Sequence, residues 1–163
     1  MKINKKDILA VCNRTLSTDE KVLSIIKKNF SHYKLNLTGK TLKGTKLLNF
    51  LNKATLAIVG LEIIDKDLIN KLPKLKRLSK YGVGLDNINQ LELKKKKIKF
   101  FYSKGFNKRS VAEFSLCLMI FILRNIKRAN DNFNKKLTWI NLSGDELTNK
   151  TVGIIGCGNT GKE

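Results

Sequence analysis

The sequence predicts an α/β protein: a doubly wound parallel sheet, followed by the first strand and turn of a second α/β domain. Three observations carry this. Short apolar runs alternate with helical segments from Ile8 to Tyr102, the rhythm of strands joined by crossover helices. The fourth run ends in the glycine-rich turn Tyr81-Gly82-Val83-Gly84. A last apolar run, Val152-Gly153-Ile154-Ile155, is followed by Gly156, Gly158 and Gly161 at G-x-G-x-x-G spacing.

The elements follow in order. Asp7 to Asn13 holds Ile-Leu-Ala-Val-Cys, a buried-strand pattern. Thr18 is placed to cap a helix through Asn29, with Val22, Leu23, Ile25 and Ile26 inward. His32 to Leu37 alternates and predicts a second strand, turned by Thr38-Gly39. A helix over Thr45 to Asn52 leads to a third strand, Ala54 to Gly60. Asp65 opens a short helix that Pro73 closes off upstream. Leu75 to Tyr81 is the fourth strand, and Ile98 to Tyr102 the fifth, with a helix over Leu91 to Lys97 between them.

Ser110-Val111-Ala112-Glu113 has the pattern of a capping box. The helix beyond it is apolar almost all round from Phe114 to Leu123, so it is expected to be buried between domains or subunits. Its apolar run is too short to span a bilayer. Left uncovered, such a face makes this stretch of chain aggregation-prone or dimeric. Asn130 to Gly144 reads as a polar connector carrying Trp139, and the terminal strand is expected to be buried on both faces.

Composition narrows the classes. The 163 residues are 42% hydrophobic, enough for one domain with a real core or one plus part of another. The formal charge is +20, but the lysines are dispersed and the one tight run is Lys94 to Lys97, with few aromatics interleaved for base stacking. The expected partner is therefore an anionic small molecule rather than nucleic acid or membrane. The alternative is a stand-alone basic binding module that docks nucleic acid or a protein through the Phe114–Leu123 helix. Cys12, Cys117 and Cys157 are distant from one another, without metal-ligand spacing, so free thiols, a cytoplasmic compartment and no metal are expected. The N-terminus lacks the apolar core of a signal peptide.

Ligands of parallel sheets bind beyond the carboxyl ends of the strands, which directs attention to the turn after Tyr81. Two glycines there free main-chain amides to point outward, forming an anion-binding concavity. A plain tight loop, with Asp86 or Asn89 capping the next helix, explains the same residues. At the second turn, the glycines suit a pyrophosphate held on a helix N-terminus, although strand-to-helix turns also use glycine for geometry alone. A P-loop overlaps this motif, but Glu163 stands where that loop needs a Ser or Thr hydroxyl. Cys157 is a candidate reactive thiol or a small loop-filling residue.

The ordered set Lys80-Tyr81-Gly82-Val83-Gly84-Leu85-Asp86-Asn87-Ile88, Asn107-x-x-Ser110-Val111-Ala112-Glu113, Trp139 ahead of Glu146-Leu147, and Lys150 to Gly158 resembles the D-isomer-specific 2-hydroxyacid dehydrogenases. The members that act on 3-phosphoglycerate are the most similar. The resemblance implies a substrate domain of flavodoxin-like topology over residues 1–104. It implies an inter-domain helix, then the first strand and glycine loop of an incomplete Rossmann domain, over 105–163. It implies NAD as cofactor, hydride exchange with a small 2-hydroxy or 2-oxo acid, and a homodimer in the full-length form. Val83 and Gly84 map to the amides that hold the substrate carboxylate, and Asn107 to a residue beside substrate and nicotinamide. Val111 maps to the nicotinamide site, and Gly156, Gly158 and Gly161 to the pyrophosphate site, the two turns facing one crevice. Ser103-Lys104 stands in place of the usual Thr-Pro, and Asn159-Thr160 in place of Arg-Ile. The family's Arg, carboxylate and His lie downstream of the glycine loop, so no catalytic residue is expected within this chain. His32, on a strand of the first half, is not a candidate acid/base. The chain alone is expected to be inactive.

Overall fold

Five short strands carry the first half of the computed structural model, which describes residues 6–136, 139 and 141–163. They are β1 (Ile8–Val11), β2 (His32–Leu35), β3 (Leu56–Val59), β4 (Arg77–Lys80) and β5 (Lys99–Phe101). All pair in parallel, in the order β2-β1-β3-β4-β5. The chain therefore builds outward from β1 to one side with β2 and to the other with β3 to β5. Side chains alternate across the sheet. Leu9 and Val11 pack on one face with Ile26 of α1 (Glu20–Asn29). Ala10, Cys12, Ala57, Val59 and Leu78 pack on the other. There they meet Leu47 and Leu51 of α2 (Gly44–Leu51), Ile69 of α3 (Lys66–Asn70) and Leu93 of α4 (Gln90–Lys95). Helices on both faces make the sheet doubly wound, as the alternating pattern predicts.

The caps explain the helix starts. Asp65 accepts from the Leu68 amide at 2.8 Å and Asn89 from the Glu92 amide at 3.0 Å, as their positions predict. At α1 the cap is Asp19, not Thr18: its carboxylate takes the Val22 amide at 2.9 Å. The Thr18 hydroxyl instead donates back to the Thr15 carbonyl at 3.2 Å, closing the preceding turn.

The chain divides into two compact units, Met1–Lys104 and Gly105–Glu163. In the second, α5 (Lys108–Leu123) starts upstream of the expected capping box, with Asn107 at its N-cap. Ser110 is thus already inside the helix, and no Ser110–Glu113 box forms. Asn125, at φ 52°, breaks the helix, and α6 (Ile126–Lys136) follows. Much of the expected polar connector is therefore helical. Ile126, Ala129 and Phe133 recur at helical spacing within that polar stretch. The Asn125 amide donates to the Ser143 carbonyl at 2.6 Å, and the Asp145 N–H to the Leu123 carbonyl at 2.9 Å. Gly144 lies against this helix end so closely that a Cβ there meets the Leu123 carbonyl at 2.9 Å.

The terminal strand is the main correction. Residues 151–155 form no strand, and Val152, Ile154 and Ile155 are exposed rather than buried on both faces. A parallel strand takes every ladder bond from a neighbour, and no neighbour pairs with it among the described residues. On α5, Phe114, Leu116, Leu118, Ile120 and Ile122 are all exposed in this chain. No helix among the described residues is long and apolar enough to cross a membrane.

Candidate functional site

The turn after β4 is held at both feet. The Tyr81 amide donates to the Val59 carbonyl at 2.8 Å, continuing the β3–β4 ladder by one bond. At the far foot, the Ile64 amide donates to the Asn87 carbonyl at 2.8 Å and the Asn89 amide to the Ile64 carbonyl at 2.9 Å. Between the feet, the amides of Gly82, Val83, Gly84, Leu85 and Asp86 donate to no protein acceptor. Gly82 sits at φ 117°, a conformation that side-chain-bearing residues rarely adopt. It turns the chain so that Val83 and Gly84 form the crest, with Val83 36% exposed.

Beneath the crest lies a polar frame. Lys80, only 8% exposed, ends β4. Its ammonium donates to the Gly60 carbonyl and, at 2.9 Å, to Asn87 Oδ1. Asn87 Nδ2 donates to the carbonyls of Gly60 at 3.0 Å and Glu62 at 2.6 Å. The buried Glu62 carboxylate accepts from the Gly60 amide at 2.6 Å. Among the described residues, no buried side-chain polar atom lacks a partner. Burial lowers the Lys80 pKa, and Asp86 and Glu62 oppose that by favouring its charge. The Cys12 thiol, on the same side of the sheet, is held far above its ordinary value, first by burial and then by Glu62. It is inert as a nucleophile.

A cavity of about 430 Å³ opens on the crest, lined among others by Leu61, Ile63, Lys80, Val83, Gly84 and Asn87. Asp86 also lines it, and a Cβ on Gly84 lies 3.1 Å from Asp86 Oδ1. Outward amides with a buried ammonium below them suit a carboxylate ligand. Neither a histidine nor a metal-ligating cluster accompanies them among the described residues.

The remaining predicted site residues belong to the second unit. Asn107 is the N-cap of α5, with its side chain uncommitted to capping. Val111 follows one turn later, its amide donating to the Asn107 carbonyl at 3.1 Å, so the two share one exposed face. The glycine turn lies on this same helix start. A Cβ on Gly105 meets the Asn159 side chain at 3.0 Å, and the Glu163 carboxylate pairs with Lys108 and Arg109 at 2.7 Å each. Those pairs hold the Glu163 carboxyl below its ordinary range, the Lys108 bond foremost.

Gly156, at φ 88°, and Gly158 have open space where a Cβ stands in other residues, which meets a pyrophosphate's need for close backbone approach. Gly161 is packed instead, 3.0 Å from the Gly156 carbonyl at its Cβ position. The Gly158 amide donates to the Gly156 carbonyl at 2.9 Å, and turns rather than a helix follow. The glycines thus fit a dinucleotide, while the described residues form neither the paired strand nor the helix of its cradle. Cys157 is exposed and contacts the Gly161 carbonyl at 3.7 Å. His32 opens β2 and is exposed.

Sequence reasoning missed the roles of Glu62 and Asn87 and of the Lys80 ammonium. The available signal was a lysine and a glutamate at the ends of otherwise apolar strands, flanking a glycine turn.

Known proteins share this organisation. The family model for the catalytic domain of D-isomer-specific 2-hydroxyacid dehydrogenases matches residues 9–159. Hydroxypyruvate reductase of Thermotoga maritima is 34% identical over 132 residues, covering 79% of this chain and 43% of that protein. D-3-phosphoglycerate dehydrogenase of Bacillus subtilis is 34% identical over 102 residues, 61% of this chain and 19% of that one. The chain therefore spans less than half the length of these curated relatives. Among solved structures, D-lactate dehydrogenase of Aquifex aeolicus, complexed with NAD and lactic acid, superposes with a TM-score of 0.71. It is 26% identical, and the match covers 96% of this chain and 46% of that one.

Proposed function

The chain belongs to the D-isomer-specific 2-hydroxyacid dehydrogenases, and on that premise we propose that it supplies the acid-binding part of an NAD-dependent oxidoreductase. The observation that carries this is the set of uncommitted amides on a rigid crest at the carboxyl end of a parallel sheet. In this proposal the amides of Val83 and Gly84 bind the carboxylate of a 2-hydroxy or 2-oxo acid. Lys80 and Asn87 hold the crest in shape and add positive potential beneath it. Asn107 and Val111 line the space beside the reacting carbon. Gly156, Gly158 and Gly161 form the pyrophosphate turn. Residues 1–104 act as the substrate-binding domain, and residues 105–163 open the NAD-binding domain. NAD, when bound, supplies the nicotinamide carbon that takes up or gives the hydride. The two turns face one crevice in the assembled protein, which is a cytoplasmic homodimer.

Oxidation of a 2-hydroxy acid also needs a base for the hydroxyl proton and a cation to polarise the forming carbonyl. These 163 residues hold one histidine, His32, at an exposed strand end, and no Arg at the crest. The chain by itself therefore gives no turnover. The first substrate to test is D-3-phosphoglycerate.

Amide NMR on the purified chain tests this. Added D-glycerate is expected to shift Val83 and Gly84, while NAD with D-3-phosphoglycerate yields no NADH. Unmoved Val83 and Gly84 resonances refute the acid site. NADH formation refutes the missing-chemistry part.

A further inference from the structure

A second cavity, of about 660 Å³, shares Leu61 and Ile63 with the first. It lies where the sheet's order reverses, among the segments that follow β1, β2 and β3. In sheets of this order that crevice is where ligands bind. Three cations line it from two loops: Arg14 after β1, and Lys40 and Lys43 after β2.

These loops are fastened to each other. The buried Asn36 donates its amide to the Cys12 carbonyl and to the Lys40 carbonyl, each at 2.8 Å. Its main-chain N–H donates to the Ser17 hydroxyl at 3.0 Å. The Thr38 hydroxyl closes on Asn36 Oδ1 at 2.7 Å. Arg14 Nη1 donates to the Gly39 carbonyl at 3.0 Å, which aims the guanidinium and leaves most of its donors uncommitted. Among the described residues, no carboxylate pairs with Arg14, Lys40 or Lys43. The one acidic residue of the lining, Asp65, is engaged as the cap of α3. Fixed like charges repel one another unless an anion joins them, and guanidinium and ammonium groups suit phosphate or carboxylate oxygens.

We propose that Arg14, Lys40 and Lys43 form an anion site that takes the far acidic group, phosphate or carboxylate, of a substrate whose first carboxylate lies on Val83 and Gly84. The inference rests on the proposed function for that second contact. It makes the preferred substrate a doubly acidic 2-hydroxy acid rather than a small monoacid. The apolar wall of Leu61 and Ile63, shared by both cavities, flanks the carbon chain between the acidic ends.

Three probes on the purified chain test it at physiological salt, followed by amide NMR: inorganic phosphate, D-glycerate and D-3-phosphoglycerate. Phosphate is expected to shift the Lys40–Gly44 amides, D-glycerate those of Val83 and Gly84, and D-3-phosphoglycerate both sets. D-3-phosphoglycerate should bind about tenfold more tightly than D-glycerate, the gain expected of two or three partly exposed ion pairs. The exposed Lys40 and Lys43 side chains support no fold contact, so K40Q/K43Q is expected to fold normally, lose that advantage and leave D-glycerate unchanged. Equal affinity for both acids, or an unaltered advantage in the double variant, overturns the proposal. If phosphate and D-3-phosphoglycerate move only Lys40–Gly44, the source is a separate anion, and the acid-loop reading fails while the cationic site stands. If D-glycerate moves Val83 and Gly84 but phosphate moves nothing, the acid loop stands and the cationic site fails.

Discussion

Residues 75–80 and 151–155 invite the same expectation from sequence and meet different fates. Both contain alternating or continuous apolar residues before a glycine turn. In the first unit, Leu78 is 0% exposed and pairs on both sides with neighbouring strands. In the second, Ile155 is fully exposed and nothing pairs with it among the described residues. The helix α5 stands between these cases: it is complete as a helix yet buries no residue. Helical hydrogen bonds close within a few residues, so a helix can form with its apolar face bare. Parallel strands borrow every bond from elsewhere. The difference lies in what each element requires from the rest of the fold, not in how strongly its residues are patterned.

The sharpest way to break this comparison is to truncate matching side chains. Leu78→Ala is expected to lower unfolding stability in urea by about 2–5 kcal/mol, the range for deleting a buried leucine. Ile155→Ala is expected to change it by under about 0.5 kcal/mol, as for a surface residue. Equal losses would show that residues 151–155 are packed after all. Next in size, Lys80→Met leaves the Gly60 carbonyl and Asn87 short of a donor, and should cost about 1–3 kcal/mol. No counterpart exists at the second turn, where thermal melts of Lys162→Met should match the parent.

The bare face of α5 gives a third test. Light scattering is expected to show dimers or larger species, and Phe114→Lys with Ile122→Lys should shift them toward monomer. A monomeric parent chain would mean the face is covered. The smallest effect concerns the thiols. Cys117 and Cys157 are exposed and should react with a thiol reagent in the native protein, while Cys12 should wait for unfolding. Because the folded state raises the Cys12 pKa above its ordinary 9.0, its native form keeps a proton that the unfolded chain sheds. Its contribution to stability is therefore complete below pH 9.0 and declines as pH rises beyond it. Cys12→Ala should flatten that alkaline decline in a pH series of melts.

Most of the first unit was legible because its signals are local. Alternation marked the strands, and Asp65 and Asn89 marked two helix starts. Thr18 misled because the acceptor that took the helix amide was its neighbour Asp19, a choice that pattern alone leaves open. Ser110 misled in the same manner, since a box of side chains competes with a helix that simply begins earlier. At the crest, the glycines announced a turn of uncommitted amides. They could not announce the frame under it, because Gly60, Glu62, Lys80 and Asn87 meet only after β3 and β4 pair. The cationic cavity was equally hidden: Arg14 and Lys40 are ordinary members of a lysine-rich chain until Asn36 ties their loops together.

That frame under the crest bears on the thermodynamics of capture. Segments that become ordered only on contact lose freedom at that moment, and the loss subtracts from affinity. Here Tyr81 and Asn87 are already pinned during folding, so an incoming acid has little left to immobilise. Calorimetry of D-glycerate binding should accordingly register a modest entropic penalty, and loosening the scaffold at Asn87 should enlarge it.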